Sequence, residues 1–418
     1  MQTFGILTGK ILVTAVSVIS ASAAIAAEPM KMSDDALRIH REAFVIDGHN
    51  NLIMKFAKQG VGAIDSVDLG QPQPSLHTDL PRLKQGGVGA EVFATYIPTD
   101  SVKKGLAVRQ TLEQIEQLGK LLSRSNGEIQ FALNSADLER IRTNGKVAAL
   151  VAIEGGNSIE SSLAVLKTYY QAGVRMMALT HDDTTDWADA ALDAPKHGGL
   201  APFGEKVVAE MNQLGMTIDL SHCSTETISD VLAISKAPVV FSHSGAHAVA
   251  PHARNLKDET LKAVAKNGGV VLVNFYAGFL SAESVKAYET RTKDAALFRK
   301  QFKTDAEFQA ALGPWLKDHP LPATSVANVV DHIDHIAKTA GVEHVGLGSN
   351  FDGIVSVPKH LEDVSCFPHV TQELLNRGYS EADIKKILGG NTLRVLKDVE
   401  SAAQHSGPQT ARLIPALR

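Results

Sequence analysis

The sequence predicts an α/β fold, a (β/α)8 TIM-like barrel with a helical insertion before the eighth strand. Three observations carry that prediction. Apolar, β-branched segments alternate with helical ones along most of the chain, the signature of βαβ units around a parallel sheet. These segments read as continuous apolar runs, as strands buried on both faces do. Six of them end in a residue able to bind a metal or move a proton: His49 in FVIDGHN, Glu154 in VAALVAIEG, His181 in VRMMALTH, His222 in MTIDLSH, His243 in APVVFSHS and Asn350 in HVGLGSN. In a parallel barrel all strand C-termini open onto one face, so residues distant in sequence converge there.

Strands are expected at 44–50, 89–96, 147–154, 174–181, 216–222, 237–244, 268–276 and 344–350. A short amphipathic helix at 33–43 precedes the first. Helical spacing of apolar residues marks 110–125, 161–173, 203–215, 224–235 and 257–269. Three of these end on glycine, and Ser224 is placed to cap the fourth. Residues 52–85, rich in Gly, Pro and Gln, read as a loop or small β excursion over the site. Residues 277–343 read as mostly helical, broken by HPLP at 319–322. Insertions of this length at a catalytic face commonly form lids or substrate walls.

The 418 residues are 44% hydrophobic and 21% charged, an ordinary globular composition. One barrel takes roughly 250 residues and tolerates insertions, so one domain suffices. It is expected over 28–400, with a tail over 401–418. A net charge of −5 without a dense Lys/Arg cluster argues against a nucleic-acid partner. Residues 1–27 read as a signal peptide. Lys10 is the only charge before Glu28, an apolar run follows it, and Ala24 and Ala26 form an A-x-A pattern. Cleavage near Ala26 or Ala27 would give an exported protein, periplasmic or secreted. The run is shorter than the roughly 20 apolar residues of a spanning helix, and no later stretch is long and apolar enough to replace it. Export permits disulfides, but the sequence leaves open whether Cys223 and Cys366 pair. Cys223 is expected to be small and buried, pointing away from the His222 side chain.

Three histidines and a glutamate at such strand ends are the material of a hydrolytic metal centre. His49 and Asn51 fall two apart at the end of the first strand, so their side chains share a face. An amide there can ligate but brings no charge. Glu154, followed by two glycines, is placed to bridge ions; the bland alternative is a salt-bridged rim glutamate. His222 and His243 end adjacent strands and can meet at one ion. His181 could ligate, polarise a carbonyl or steady an oxyanion. Arg254 could grip a carboxylate in bidentate fashion, or be an ordinary helix-start arginine. His332 and His335, in DHIDHI, read as a solvated helix face rather than ligands.

With these residues in place, the chain resembles the renal or membrane dipeptidase family, the zinc dipeptidases of the amidohydrolase-like barrels. The motifs are DGHN, HTDLPRLKQGGVGAEVFATY, AIEGG, LTH with DWAD, DLSH, FSH, ARN, VNFY, and GSNFDG followed by LEDVS, in order across 35–400. The resemblance implies a dipeptide substrate, a zinc-activated water and two zinc ions bridged by Glu154. One ion would take His49 and Asn51, the other His222 and His243. His181 matches the histidine that contacts substrate or tetrahedral intermediate. Arg254 matches the arginine that holds the substrate's C-terminal carboxylate. Phe279 stands near a substrate-pocket tyrosine. Asn350 falls where the family has the catalytic aspartate that handles the proton of the attacking water. Family members often form homodimers.

Asn51 and Asn350 therefore replace expected carboxylates. The first zinc site is expected to be weak, and hydrolysis impaired, since loss of a general acid/base costs roughly 10²–10⁴-fold in rate. Asp352 is the nearest carboxylate that could substitute, although its family role is structural. Two other readings stay open: a barrel repurposed for another small amide metabolite, and a non-catalytic binding paralogue that keeps Arg254.

Overall fold

A computed structural model describes residues 30–57 and 63–403. The expected leader and all of the expected tail beyond residue 403 lie outside the described residues.

The strands are β1 (Val45–Asn50), β2 (Val88–Tyr96), β3 (Ile129–Phe131), β4 (Val147–Glu154), β5 (Val174–Ala178), β6 (Thr217–Asp219), β7 (Val240–Ala246), β8 (Asn255–Leu256), β9 (Val270–Val273) and β10 (Val345–Leu347). Eight of them close into a parallel barrel in the order β1, β2, β4, β5, β6, β7, β9, β10, and β10 returns to β1. These eight are the segments anticipated from the apolar runs. The other two are short additions: β3 extends the sheet beside β4, and β8 pairs with the end of β7. Every residue of β4 is buried, since its neighbours fill the barrel on one face and helices cover the other.

The covering helices start and stop where local chemistry directs. Ser224 caps the helix Thr225–Ile234 by accepting from the Thr227 N–H. The helices Pro202–Leu214 and Asp258–Asn267 end on Gly215 and Gly268, whose φ angles of 72° and 84° suit glycine. Between β9 and β10 run three helices, Ala282–Arg299, Asp305–Asp318 and Val326–Ala340. HPLP separates the second from the third as expected, but a further break between Arg299 and Asp305 makes three helices where two parts were expected. Residues 52–85 hold short helical turns and the helix Leu80–Gln85, with no strand among those described. Asp79 caps that helix by accepting from the Arg82 N–H.

Several strands are shorter than the apolar runs suggest. β5 stops at Ala178, β6 at Asp219 and β10 at Leu347, so His181, His222 and Asn350 each lie three residues beyond a strand. His222 and Asn350 have φ of 70° and 61°, values a ladder cannot accommodate. Apolarity continues past the hydrogen-bonded segment because these residues still pack inside the barrel mouth.

A further correction concerns His332. It is fully buried, and its Nδ1 accepts the Ala246 N–H over 2.8 Å. The helix Val326–Ala340 packs on the barrel, and this turn faces inward. His335 is half-buried beside Asp258, 2.7 Å from Oδ1. Neither lies at the strand-end cluster. Both cysteines are free, and Cys223 is buried. No helix among the described residues is long and apolar enough to cross a membrane.

Candidate metal centre and active site

Strand register sets the level of the site. Tyr96 on β2 lies opposite Glu154 on β4, Glu154 opposite Ala178 on β5, and Ala178 opposite Asp219 on β6. Side chains just beyond this level therefore meet across the mouth. Glu154 Oε1 is their focus: His222 Nε2 lies 3.2 Å away, His243 Nε2 3.3 Å, His49 Nε2 3.5 Å and His181 Nε2 3.7 Å. The second carboxylate oxygen accepts from Asn51 Nδ2 over 2.9 Å. Asn51 Oδ1 sits 3.1 Å from His49 Nε2.

This donor set fits a metal ion. His222 Nε2 and His243 Nε2 approach to 2.9 Å. Two imidazole nitrogens at that distance need a proton or a cation between them. Glu154, His222 and His243 are all buried, and their ligand atoms lie within 4.8 Å of one another. Two other clusters, His49–Asp219–His243 and His181–Asp182–His222, meet the same distance limit. The first is bridged by the Ser242 hydroxyl, and the second ends on the exposed Asp182, so Glu154 with its two imidazoles is the better cation site.

Electrostatics follow from this packing. Burial opposes ionisation of Glu154, yet His49 and its neighbours hold the carboxyl well below its usual range. Burial acts the other way on His243, which is driven well below the usual imidazole value, with His49 adding repulsion. Burial also lowers His49, but Glu154 overcomes that and the net shift is upward. His181 falls to about 4, chiefly from burial and then from the neighbouring His222. It therefore stands neutral near pH 7, stacked on His222 at 4.2 Å and beside Tyr96 at 4.4 Å.

Arg254 is buried at the edge of the cluster. Its Nη2 donates to the His243 carbonyl over 3.4 Å, while Nη1 has no protein partner. Burial lowers its pKa, and Asp182 and Glu154 oppose that shift. Phe279 stacks on His252 at 4.3 Å and meets Tyr288 edge-on at 5.3 Å, forming an aromatic wall with Tyr276. The Asn350 N–H donates to the His49 carbonyl over 2.9 Å, tying the segment after β10 to β1. Asn51 Oδ1 and Asn350 Oδ1 both crowd the position a Cβ would take at Gly353. The residues read from the strand ends are thus brought to one mouth. Asp352 is engaged elsewhere: its Oδ1 accepts the His77 N–H over 2.8 Å.

Sequence reasoning missed the groups behind the imidazoles. Asp182 Oδ1 lies 3.1 Å from His222 Nδ1. Ser242 Oγ lies between His49 and His243 and donates to Asp219. The available signals were the first aspartate of LTHDD and the Ser-His pair repeated in DLSH and FSH. Below them, Asp47 accepts from the Ser349 N–H over 2.7 Å and from its hydroxyl. A 680 Å³ groove lies outside the barrel, between the helices Thr225–Ile234 and Asp258–Asn267, and none of the clustered residues lines it.

A parallel barrel whose strand ends gather four imidazoles around one buried carboxylate defines a metal-dependent hydrolase. The comparisons narrow that class. Residues 33–409 match the profile of the membrane dipeptidase family, peptidase family M19, and the chain belongs to that family. It is 35% identical to Dipeptidase 3 of Mus musculus over 381 residues, 90% of this chain and 68% of that protein. Dipeptidase 3 of Rattus norvegicus is likewise 35% identical, over 69% of its length. The crystal structure of the probable dipeptidase PvdM from Pseudomonas aeruginosa superposes with a TM-score of 0.76 at 26% identity, covering 88% of this chain and 98% of that one. Dipeptidase AC, a metallopeptidase of family M19, gives 0.71 at 25% identity, over 85% and 98%.

Proposed function

We propose that this chain is an exported zinc dipeptidase that holds two ions, one weakly, and hydrolyses dipeptides slowly. The carrying observation is the convergence of four Nε2 atoms on Glu154 Oε1 within 3.7 Å. His222 and His243 with Glu154 would hold one ion, and His49 and Asn51 with Glu154 the other. Bound zinc supplies acidified water and a polarised carbonyl.

The chain's own residues do the rest. Arg254, with Nη1 unpartnered, receives the substrate's C-terminal carboxylate. Neutral His181 hydrogen-bonds the scissile carbonyl as charge develops on it. Phe279 and the aromatic ring cluster exclude water from the carboxylate end. Asn350 orients water through its amide but neither takes nor returns its proton. Without that carboxylate the leaving amine takes its proton from solvent, and slow turnover is the expected consequence. The two Asn residues also support a second reading, a binding paralogue that retains dipeptides without cleaving them.

Elemental analysis of the purified mature protein, alongside a dipeptide panel with added zinc, tests the proposal. Up to two zinc ions per chain and slow zinc-dependent cleavage are expected. Metal binding and dipeptide affinity without turnover would favour the binding paralogue, and no metal at all would end the hydrolase reading. An N-terminus near Ala27 on the exported protein would support export, and light scattering at twice the chain mass would support a homodimer.

A further inference from the structure

One hydroxyl serves two of the imidazoles. Ser242 Oγ lies 2.8 Å from His243 Nδ1, 3.2 Å from His49 Nδ1 and 2.5 Å from Asp219 Oδ2. All four residues are buried, none more than 2% exposed. A serine hydroxyl has one hydrogen and two lone pairs. A carboxylate offers acceptors alone, and the shortest contact is to Asp219, so the hydrogen points there. The oxygen can then serve His49 and His243 only by accepting. Both rings must then carry a hydrogen on Nδ1, so that Nε2 of each, turned toward Glu154, is the atom left to ligate.

Asp219 is itself fixed. Its Oδ1 accepts the Ser221 N–H over 2.9 Å and the Ser242 N–H over 3.0 Å, joining the segment after β6 to β7. The Ser221 hydroxyl lies 3.4 Å from Ser242 Oγ, the longest contact in the group, and accepts the His243 N–H over 3.1 Å. His222 is prepared by a separate route, through Asp182 at the solvent edge.

We propose that Ser242, held by Asp219, is a positioning residue that sets the tautomers of His49 and His243 together, so that one buried hydroxyl prepares a ligand for each of two metal ions. Partners of ligating histidines orient the ring and raise its basicity, and their loss typically costs about 10–100-fold in affinity. Here that loss would fall on both ions at once, whereas loss of Asp182 would fall on the His222 ion alone. The inference rests on the two-ion reading above.

The test is a titration of metal-free protein with Zn²⁺ against a chromophoric chelator. Wild-type stoichiometry judges the two-ion reading by itself: a single binding step overturns that reading, and Ser242 is then judged on that step. Ser242→Ala is expected to weaken every step by about 10–100-fold with circular dichroism unchanged, and Asp182→Asn to weaken one step. Wild-type affinities in Ser242→Ala, or weakening of only one of two steps, overturn the proposal. If Ser242→Ala does not fold, ¹⁵N spectra of histidine-labelled wild-type protein decide. Nδ1–H tautomers at both His49 and His243 support it, and an Nε2–H tautomer at either overturns it.

Discussion

Asn51 Nδ2 donates to Glu154 Oε2 over 2.9 Å, so the amide proposed as a neutral metal ligand is also a hydrogen-bond donor to the central glutamate. An aspartate at this position would set two carboxylates against each other whenever no cation lay between them. Asn51→Asp is therefore expected to act in opposite directions on two states. Metal-free protein should lose about 1–3 kcal/mol in urea unfolding at pH 8, by the lost bond and the new repulsion. Zinc affinity should rise by about tenfold or more, as an anionic ligand replaces a neutral one. A zinc affinity that does not rise would remove Asn51 from the ligand set.

Asn350 bears on rate rather than on binding. Asn350→Asp introduces a group able to take and return a proton, and kcat for a good dipeptide is expected to rise by about tenfold or more. Steady-state kinetics in saturating zinc read this directly. An unchanged kcat would mean that proton transfer is handled by another residue.

Gly353 couples these two amides. A methyl at this position would overlap both Asn51 Oδ1 and Asn350 Oδ1. Gly353→Ala should push both side chains aside, lowering zinc affinity and costing about 1–3 kcal/mol of stability through overpacking. Isothermal titration and urea unfolding on the same preparation check both parts, and retention of wild-type zinc affinity would contradict the crowding seen here.

Arg254 should be read in specificity. Its free Nη1 is buried, and a dipeptide carboxylate is the expected partner. Arg254→Ala should lower kcat/KM for free dipeptides by about 10²-fold, the cost of losing a charge-assisted pair. Dipeptide amides, which lack the carboxylate, should be cleaved equally by both proteins. Equal losses on both substrates would show that Arg254 holds the fold rather than the ligand.

Acid stability should depend on His332. Burial lowers its pKa to about 4 from the ordinary value of 6.5. Above pH 6.5 the ring is neutral in folded and unfolded chains, and the group has no effect. As the pH falls from 6.5 toward 4, the unfolded chain takes up a proton that the folded chain refuses, so stability falls, by about 3 kcal/mol at the lower limit. Protonation would also displace the Ala246 N–H from Nδ1. His332→Gln keeps an acceptor without a titrating ring, and metal-free variant protein should show a flatter urea midpoint between pH 7.5 and 5. Identical pH profiles would assign the acid limb to other groups.

The barrel was legible in the chain because each barrel strand is a local property: an apolar, β-branched run such as VAALVAIEG, followed by a helical segment. The ends of those runs marked His49, Glu154, His222 and His243 for the same reason. Parallel strands bring their C-termini to one face, so no long-range pairing had to be guessed. The resemblance added Phe279 and favoured the carboxylate-binding reading of Arg254, which the residue alone left open.

What sequence determined by itself is therefore the cylinder, the mouth and the donors that line it. Only the tertiary structure decided which partner stands behind each donor. Ser242 meets His49 across the barrel, 193 positions away, and Ala246 finds His332 on a helix 86 positions on. His332 shows the limit most clearly: its helical spacing fits a solvated face equally well until β7 packs against it. Hydrogen-bond partners and burial are set by which elements touch. A pattern of periods 2 and 3.6 records only the face each residue shares with its neighbours in the chain.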